Sequence, residues 1–171
     1  DLLDISKLQA GVTQLNKTHF NLTKNLQAAV QRIGRMASAN EFTIELICDH
    51  DEEVFVDADE FKIYQVVYNL INNALNYSGD SRHVIVRQEC IGDTVKVSVQ
   101  DFGPGIAKEN LPLVWERYYK VDKEHRRSFN GSGLGLAIVR KILELHNAQY
   151  GVDSTLGQGS TFWFCLKVSD E

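Results

Sequence analysis

Apolar residues recur along this chain with two periods, and where each holds sets the elements to expect. Leu22, Leu26, Val30, Ile33 and Met36 keep helical spacing up to about Ala39, with Asn21 before them as an N-cap. A second helix is expected from Asp57 or Asp59 to Tyr77, with its stripe at Ile63, Val67, Leu70, Ala74 and Tyr77, and a third from about Leu134 to His146. A period of two predicts strands at Val12 to His19, Phe42 to Cys48, Glu53 to Asp57, His83 to Ile91, Thr94 to Asp101, Gln149 to Ser154 and Ser160 to Val168. Gly92-Asp93 joins two of them as a hairpin, and a short helical turn is expected around Leu111 to Tyr118. Ile5 and Leu8 before Gly11 read as the tail of a longer helix. Hairpins among interleaved helices make the sheet mixed. The expected class is therefore α+β, a two-layer sandwich of a mainly antiparallel sheet with helices on one face.

Composition narrows the class without naming a chemistry. The 171 residues, 43% hydrophobic and 24% charged, have the length and balance of one globular domain. A net charge of −5 with no long basic run argues against nucleic acid as partner. Cys48, Cys90 and Cys165 lie in apolar strand-like runs without metal-ligand spacing, so they read as reduced core residues and fit a cytoplasmic compartment. No run of 18 apolar residues occurs, and the chain starts at Asp1, so a piece of a longer protein is expected.

The candidate chemistry lies in four places. Asn69, Asn72, Asn73 and Asn76 crowd the end of the second helix, although asparagine is a poor helix former. At 100° per residue Asn69, Asn73 and Asn76 fall within about 60° of one another. They are either a solvated face or a source of amide oxygen for a Mg²⁺ held mainly by phosphates. Asp101 has the phase of Val95, Val97 and Val99, so its carboxylate is expected on the buried face. It either bonds N–H groups near Gly103 to start a turn, or accepts the exocyclic amine of adenine, with Gly103 and Gly105 leaving room for the ring. Gly131-Ser-Gly-Leu-Gly135 lacks the lysine of a Walker loop; it is a packing or hinge feature, or a source of N–H groups for phosphate. Gly157-Gln-Gly159 reads as a turn between strands.

In order and register these segments resemble the N, G1, F, G2 and G3 boxes of sensor histidine kinases. The boxes are Asn69 to Ser78, Asp101 to Gly105, Trp115 to Lys120, Gly131 to Gly135 and Gly157 to Phe162. The resemblance covers essentially the whole chain. It implies that residues 1–11 end the second helix of a dimerisation and phosphoacceptor hairpin, and that residues 12–171 are the catalytic ATP-binding domain.

It also implies roles. Asn73 would bind Mg²⁺, Asn69 would support metal and phosphates, and Tyr77 would lie against adenine. Asp101 would accept the adenine amine, with Gly103 and Gly105 shaping the pocket. The stretch from about Tyr119 to Gly131 would cover ATP, with Lys120 as a cation for the γ-phosphate. Gly131, Gly133, Leu134 and Gly135 would offer N–H groups to phosphates, and Thr161 would sit near adenine through solvent. The implied cofactors are ATP and Mg²⁺, and the implied partners are the acceptor hairpin and a response regulator. The fragment is expected to be a monomeric cytoplasmic domain of a homodimeric parent, which can be membrane-anchored.

Two positions depart from the family pattern. Asn76 stands where many relatives carry a basic residue, and Trp115 replaces phenylalanine. His19, His50, His83, His125 and His146 all lack the surroundings of the family's acceptor histidine, so the chain is expected to supply ATP but not the acceptor. The alternatives are a self-contained ATPase or a silent nucleotide-binding module. Related ATPases, such as gyrase and the heat-shock chaperones, carry glutamate where Asn69 stands, and an amide cannot take a proton from water.

Overall fold

Three helices pack on one face of a seven-stranded sheet in the computed structural model, which describes residues 14–117, 119 and 135–170. In chain order the elements are β1 (Thr18–Asn21), α1 (Leu22–Ser38), β2 (Thr43–Cys48), β3 (Phe55–Ala58), α2 (Glu60–Tyr77), β4 (His83–Ile91), β5 (Thr94–Asp101), α3 (Gly135–Leu145), β6 (Gln149–Ser154) and β7 (Ser160–Ser169). Single 3₁₀ turns sit at Gly79–Ser81 and Lys108–Asn110. The strand order is β1-β3-β7-β5-β4-β2, and β6 pairs with β7. β2 and β4 run parallel, and the other pairs are antiparallel. A mixed sheet under helices is the expected α+β sandwich.

Caps set the helix starts. Asn21 accepts the Lys24 N–H at 3.0 Å, and Asp59 accepts the Lys62 N–H at 3.1 Å. The second bond selects Asp59 over Asp57, which is paired with His19 inside the β1–β3 ladder. That ladder also corrects the first expected strand: among the described residues β1 starts at Thr18, where pairing with Phe55–Ala58 begins, while Val12 lies outside them.

The helical stripes shift as well. On α1, Leu22, Leu26, Ala29, Ile33 and Ala37 are buried while Met36 is 56% exposed, so small alanines complete the packed face. On α2, Tyr77 turns outward at 38% exposure. The region expected as a helical turn at Leu111 to Tyr118 is, as far as Arg117, a chain of turns that follows the 3₁₀ turn Lys108–Asn110.

The core fills the space between layers. Val84 and Val86 of β4, Val95, Val97 and Val99 of β5, and Phe162, Phe164 and Leu166 of β7 meet the buried faces of all three helices. Gln88 continues the β4 row at 1% exposure, where it accepts the Thr23 hydroxyl at 3.0 Å. The opposite face carries Arg87, Lys96 and Trp163, and the Lys96 Nζ stands 4.9 Å from the Trp163 ring centroid. The three cysteines are free and half-buried, and burial raises their thiol pKa values. Among the described residues no helix is long and apolar enough to cross a membrane.

Candidate nucleotide-binding site

Period-two alternation delivers Asp101 to the helix-covered face at the last position of β5, where it is 2% exposed. Its Oδ1 accepts the Gly103 N–H at 3.0 Å, and the Ser160 N–H adds a second bond. Burial pushes the carboxyl up to about 6, against the downward pull of those two N–H groups. The turn contact is thus present. A carboxylate has accepting capacity beyond two hydrogen bonds, so a further donor can still be met.

The glycines after Asp101 are explained by backbone packing. A Cβ on Gly103 would lie 1.6 Å from the Tyr77 carbonyl oxygen, so the loop leaving β5 touches the end of α2 main chain to main chain. Gly105, at φ +76°, brings the same loop against Thr155, whose carbonyl oxygen would lie 2.3 Å from a Cβ. The Gly157 N–H donates to the Pro104 carbonyl at 2.8 Å. The room cleared here is taken by Tyr77 and Thr155, so any effect of these glycines on a bound ring is through the loop they allow.

Register corrects one expected neighbour. Asp101 lies opposite Ser160, and residues directly across a ladder share a face. Thr161 lies opposite Gln100 and Asp153, on the face without helices. Ser160 is buried, and its hydroxyl is 2.8 Å from that of Ser154, which also donates to the Gly159 carbonyl. The signal was available: Ser160 has the phase of Phe162, Phe164 and Leu166.

At the other end of the site, Asn69 and Asn73 lie one turn apart on α2, both half-buried. Asn69 Nδ2 is buried with no hydrogen-bond partner among the described residues. Gly135, which begins α3, faces it: a Cβ there would lie 3.9 Å from Asn69 Cγ. An unmet amide donor therefore stands beside a helix N-terminus, an arrangement that suits a phosphate oxygen. Tyr119 is partly buried, and its hydroxyl donates to Asn110 Oδ1 at 2.9 Å. Lys120, Gly131, Gly133 and Leu134 lie outside the described residues.

Sequence reasoning missed one bracing network. Arg140 on α3 donates to Glu116 at 3.0 Å and to Glu144 at 3.1 Å, and Glu144 also accepts the Tyr150 hydroxyl at 3.2 Å. Trp115 packs edge-on against Tyr150 at 5.0 Å and Phe162 at 5.4 Å, so the aromatic swap at this position is accommodated. No local spacing links Glu116 to Arg140, which meet only in the fold. The described histidines sit in local contacts: His19 with Asp57 at 3.0 Å, His50 with Asp49 at 3.6 Å, His83 with Glu45 at 3.5 Å, and His146 with the Asp59 N–H at 3.1 Å. His125 is outside the described residues.

Comparison with known proteins shows the family and the fold. Residues 58–170 match the family described as histidine kinase-, DNA gyrase B-, and HSP90-like ATPase. The chain is 34% identical to the sensor histidine kinase WalK of Bacillus subtilis (strain 168), over 100% of the chain and 28% of that protein. It is 33% identical to the sensor protein kinase WalK of Staphylococcus saprophyticus, over 97% of the chain and 27% of that protein. Thus it spans little more than a quarter of these relatives.

Among solved structures, full-length ShkA in complex with AMPPNP superposes with a TM-score of 0.84 at 25% identity, covering 99% of this chain and 35% of that one. The nucleotide-free catalytic domain of histidine kinase ThkA superposes with a TM-score of 0.76 at 25% identity, covering 89% of this chain and 95% of that one. The chain belongs to the histidine kinase-, DNA gyrase B-, and HSP90-like ATPase family, and its fold and relatives place it with the catalytic domains of sensor histidine kinases.

Proposed function

We propose that this chain binds Mg-ATP along α2 and presents the γ-phosphate to a histidine on the dimerisation hairpin of a parent sensor kinase, from which a response regulator takes the phosphoryl group. The observation that carries the reading is the pairing of a buried acceptor at Asp101 with a buried, unmet donor at Asn69. Tyr77, touching the Asp101 loop, and Asn69 are eight residues apart on one helix, about 12 Å along its axis. A nucleoside triphosphate can bridge that span.

Asp101 accepts the adenine amine, Ser160 lines the pocket beside it, and Tyr77 lies against the ring. Asn69 donates its amide N–H to a phosphate oxygen, and the N–H groups from Gly131, Gly133 and Leu134 to Gly135 serve the remaining phosphate oxygens. Asn73 offers its amide oxygen to Mg²⁺, whose contribution when bound is neutralisation of phosphate charge. Tyr119 flanks the site and Lys120 supplies a cation near the γ-phosphate. These groups position and neutralise, and none of those at the phosphate end is placed as a general base. With an amide at position 69, water in the site is not activated, and the nucleophile comes from the partner segment.

Single-turnover transfer from γ-labelled ATP tests this. Label should move to an added acceptor hairpin, with none on the chain itself and no steady hydrolysis. Label on the isolated chain, or steady hydrolysis abolished by Asn73→Ala, would overturn the reading in favour of a self-contained kinase or ATPase.

A further inference from the structure

Between the N-terminal halves of α1 and α2, at the end of α2 away from Tyr77, lies a groove of about 470 Å³. Asn25, 7% exposed, is among its lining residues. The Asn25 Nδ2 donates to the Glu60 carbonyl at 3.2 Å, which fixes which way the amide faces. Its Oδ1 is left buried without a partner. A buried acceptor with no donor is the kind of group that a ligand or an ordered water satisfies.

The surroundings select among donors. Phe61, in the first turn of α2, is 77% exposed, and Tyr64 stands one turn further along. Two aromatic rings thus border an acceptor. Asp59 and Glu60 bring negative charge to the groove, and the lining Lys24 is drawn towards Glu53 at 3.5 Å. Both Asp59 oxygens are already held, Oδ1 by the Lys62 N–H and Oδ2 by the Asn16 N–H, so the N-terminus of α2 is capped and does not call for an anion. What remains is an acidic, aromatic-edged groove with an unmet, buried acceptor on one of its lining side chains.

We propose that this groove receives the guanidinium of an arginine displayed by a partner polypeptide. A guanidinium stacks on aromatic faces, is weakly hydrated, and carries several N–H donors in one plane, so one can face the Glu60 carboxylate while another meets Asn25 Oδ1 after a small shift of that buried amide towards the groove. A lysine ammonium is compact and strongly hydrated, and meets the rings less well. The site is separate from the nucleotide site, and its test does not depend on ATP.

The test is an NMR titration of the ¹⁵N-labelled chain with N-acetyl-arginine N-methylamide, alongside the lysine and glycine analogues. The arginine compound should give saturable shifts at the Asn25 side-chain amide and at Phe61 and Tyr64, with weaker binding by lysine and none by glycine. Phe61→Ala and Glu60→Gln, both at exposed positions, should each weaken arginine binding about two- to fivefold. Heat denaturation checks that both variants are folded. Shifts no larger than the glycine analogue produces would mean that only water fills the groove. Equal binding of arginine and lysine, shifts centred on Gly135, or unchanged affinity in both variants would equally overturn the proposal.

Discussion

At the C-terminal end of α2, the Tyr77 carbonyl lies so close to the loop after β5 that a Cβ on Gly103 would sit 1.6 Å from it; about two turns back along the same helix, Asn69 faces Gly135, where a Cβ would meet its Cγ at an ordinary contact distance of 3.9 Å. The first end is closed by main chain. Gly103, Gly105 and Gly159 interlock three segments, and Asp101 is held by two N–H groups before any ligand arrives. The second end keeps a buried amide donor unmet among the described residues. One helix therefore carries a finished pocket wall and an unfinished one. On the function proposed above, the closed end would seat the base and the open end the phosphates, a division of labour that suits release of the phosphate end after transfer.

The largest expected contrast comes from one methyl group at each end. Gly103→Ala forces backbone to move, and should destabilise the fold by about 3 kcal/mol or more, at or above the usual range for overpacking. Gly135→Ala meets only ordinary contact in the first position of α3, so it should be neutral or stabilise by up to about 1 kcal/mol. Urea unfolding of the two variants reads both. Equal losses would dissolve the distinction between the ends.

Protons give the next contrast, because Asp101 is the titrating group of the closed end. Its value rises from 3.8 to about 6 on folding, so between those limits the native state binds more protons than the unfolded chain. Stability of the nucleotide-free protein should therefore fall as pH rises through that window, by up to about 3 kcal/mol from this group. Asp101→Asn should remove that slope. Base binding has the opposite sign: the ionised carboxylate is the better acceptor, so affinity should drop as pH falls below about 6. Adenosine is the right probe, since it has no phosphate to titrate. At pH 7, Asp101→Asn should weaken it by about 1–3 kcal/mol. A pH-independent adenosine affinity would return Asp101 to the role of turn residue alone.

The two ends also differ in how far the sequence revealed them. Alternation placed Asp101 on the covered face because Val95, Val97 and Val99 share its phase, and the α+β class followed from the same periods. The glycines were visible as points of close approach, but what approaches them was not. Tyr77 and Thr155 reach Gly103 and Gly105 from elsewhere in the chain, and no local pattern encodes that. Thr161 was expected near adenine through solvent, yet register turns it to the face away from Asp101 and sets Ser160 opposite Asp101; the apolar phase of β7 could have shown this. Met36 and Tyr77 extended ideal helical stripes on paper, but packing filled those places with Ala37 and Leu75 and left the larger side chains outside. The Arg140–Glu116 contact had no signal, because charged surface pairs have no periodicity to read.

At the open end, metal dependence separates ligation from helix damage. Asn73→Ala should weaken ATP binding about tenfold when Mg²⁺ is present and leave adenosine binding unchanged, since the substituted position is a turn away from Tyr77. Calorimetry with and without chelator makes the comparison. Equal loss in both conditions would mean that α2 itself had been disturbed, and the asparagine face would be structural.

The smallest effect expected is at the brace that ties Glu116 to α3. Arg140 is 39% exposed and Glu116 59%, so the pair is screened and worth no more than about 1 kcal/mol. Its consequence should be local. Arg140→Ala frees Glu116 while Trp115 stays packed on Tyr150 and Phe162, so amide exchange should quicken at Glu116 and Arg117 and at the first turn of α3, but not in the Gly103–Gly105 loop. Exchanging the charges, Arg140→Glu with Glu116→Arg, should restore protection only in part, because a carboxylate at position 140 repels Glu144 one turn along the helix. If Arg140→Ala instead speeds exchange equally in the loop beside Tyr77, the two ends share one cooperative unit, and the closed wall owes its rigidity to more than the main-chain contacts of its glycines.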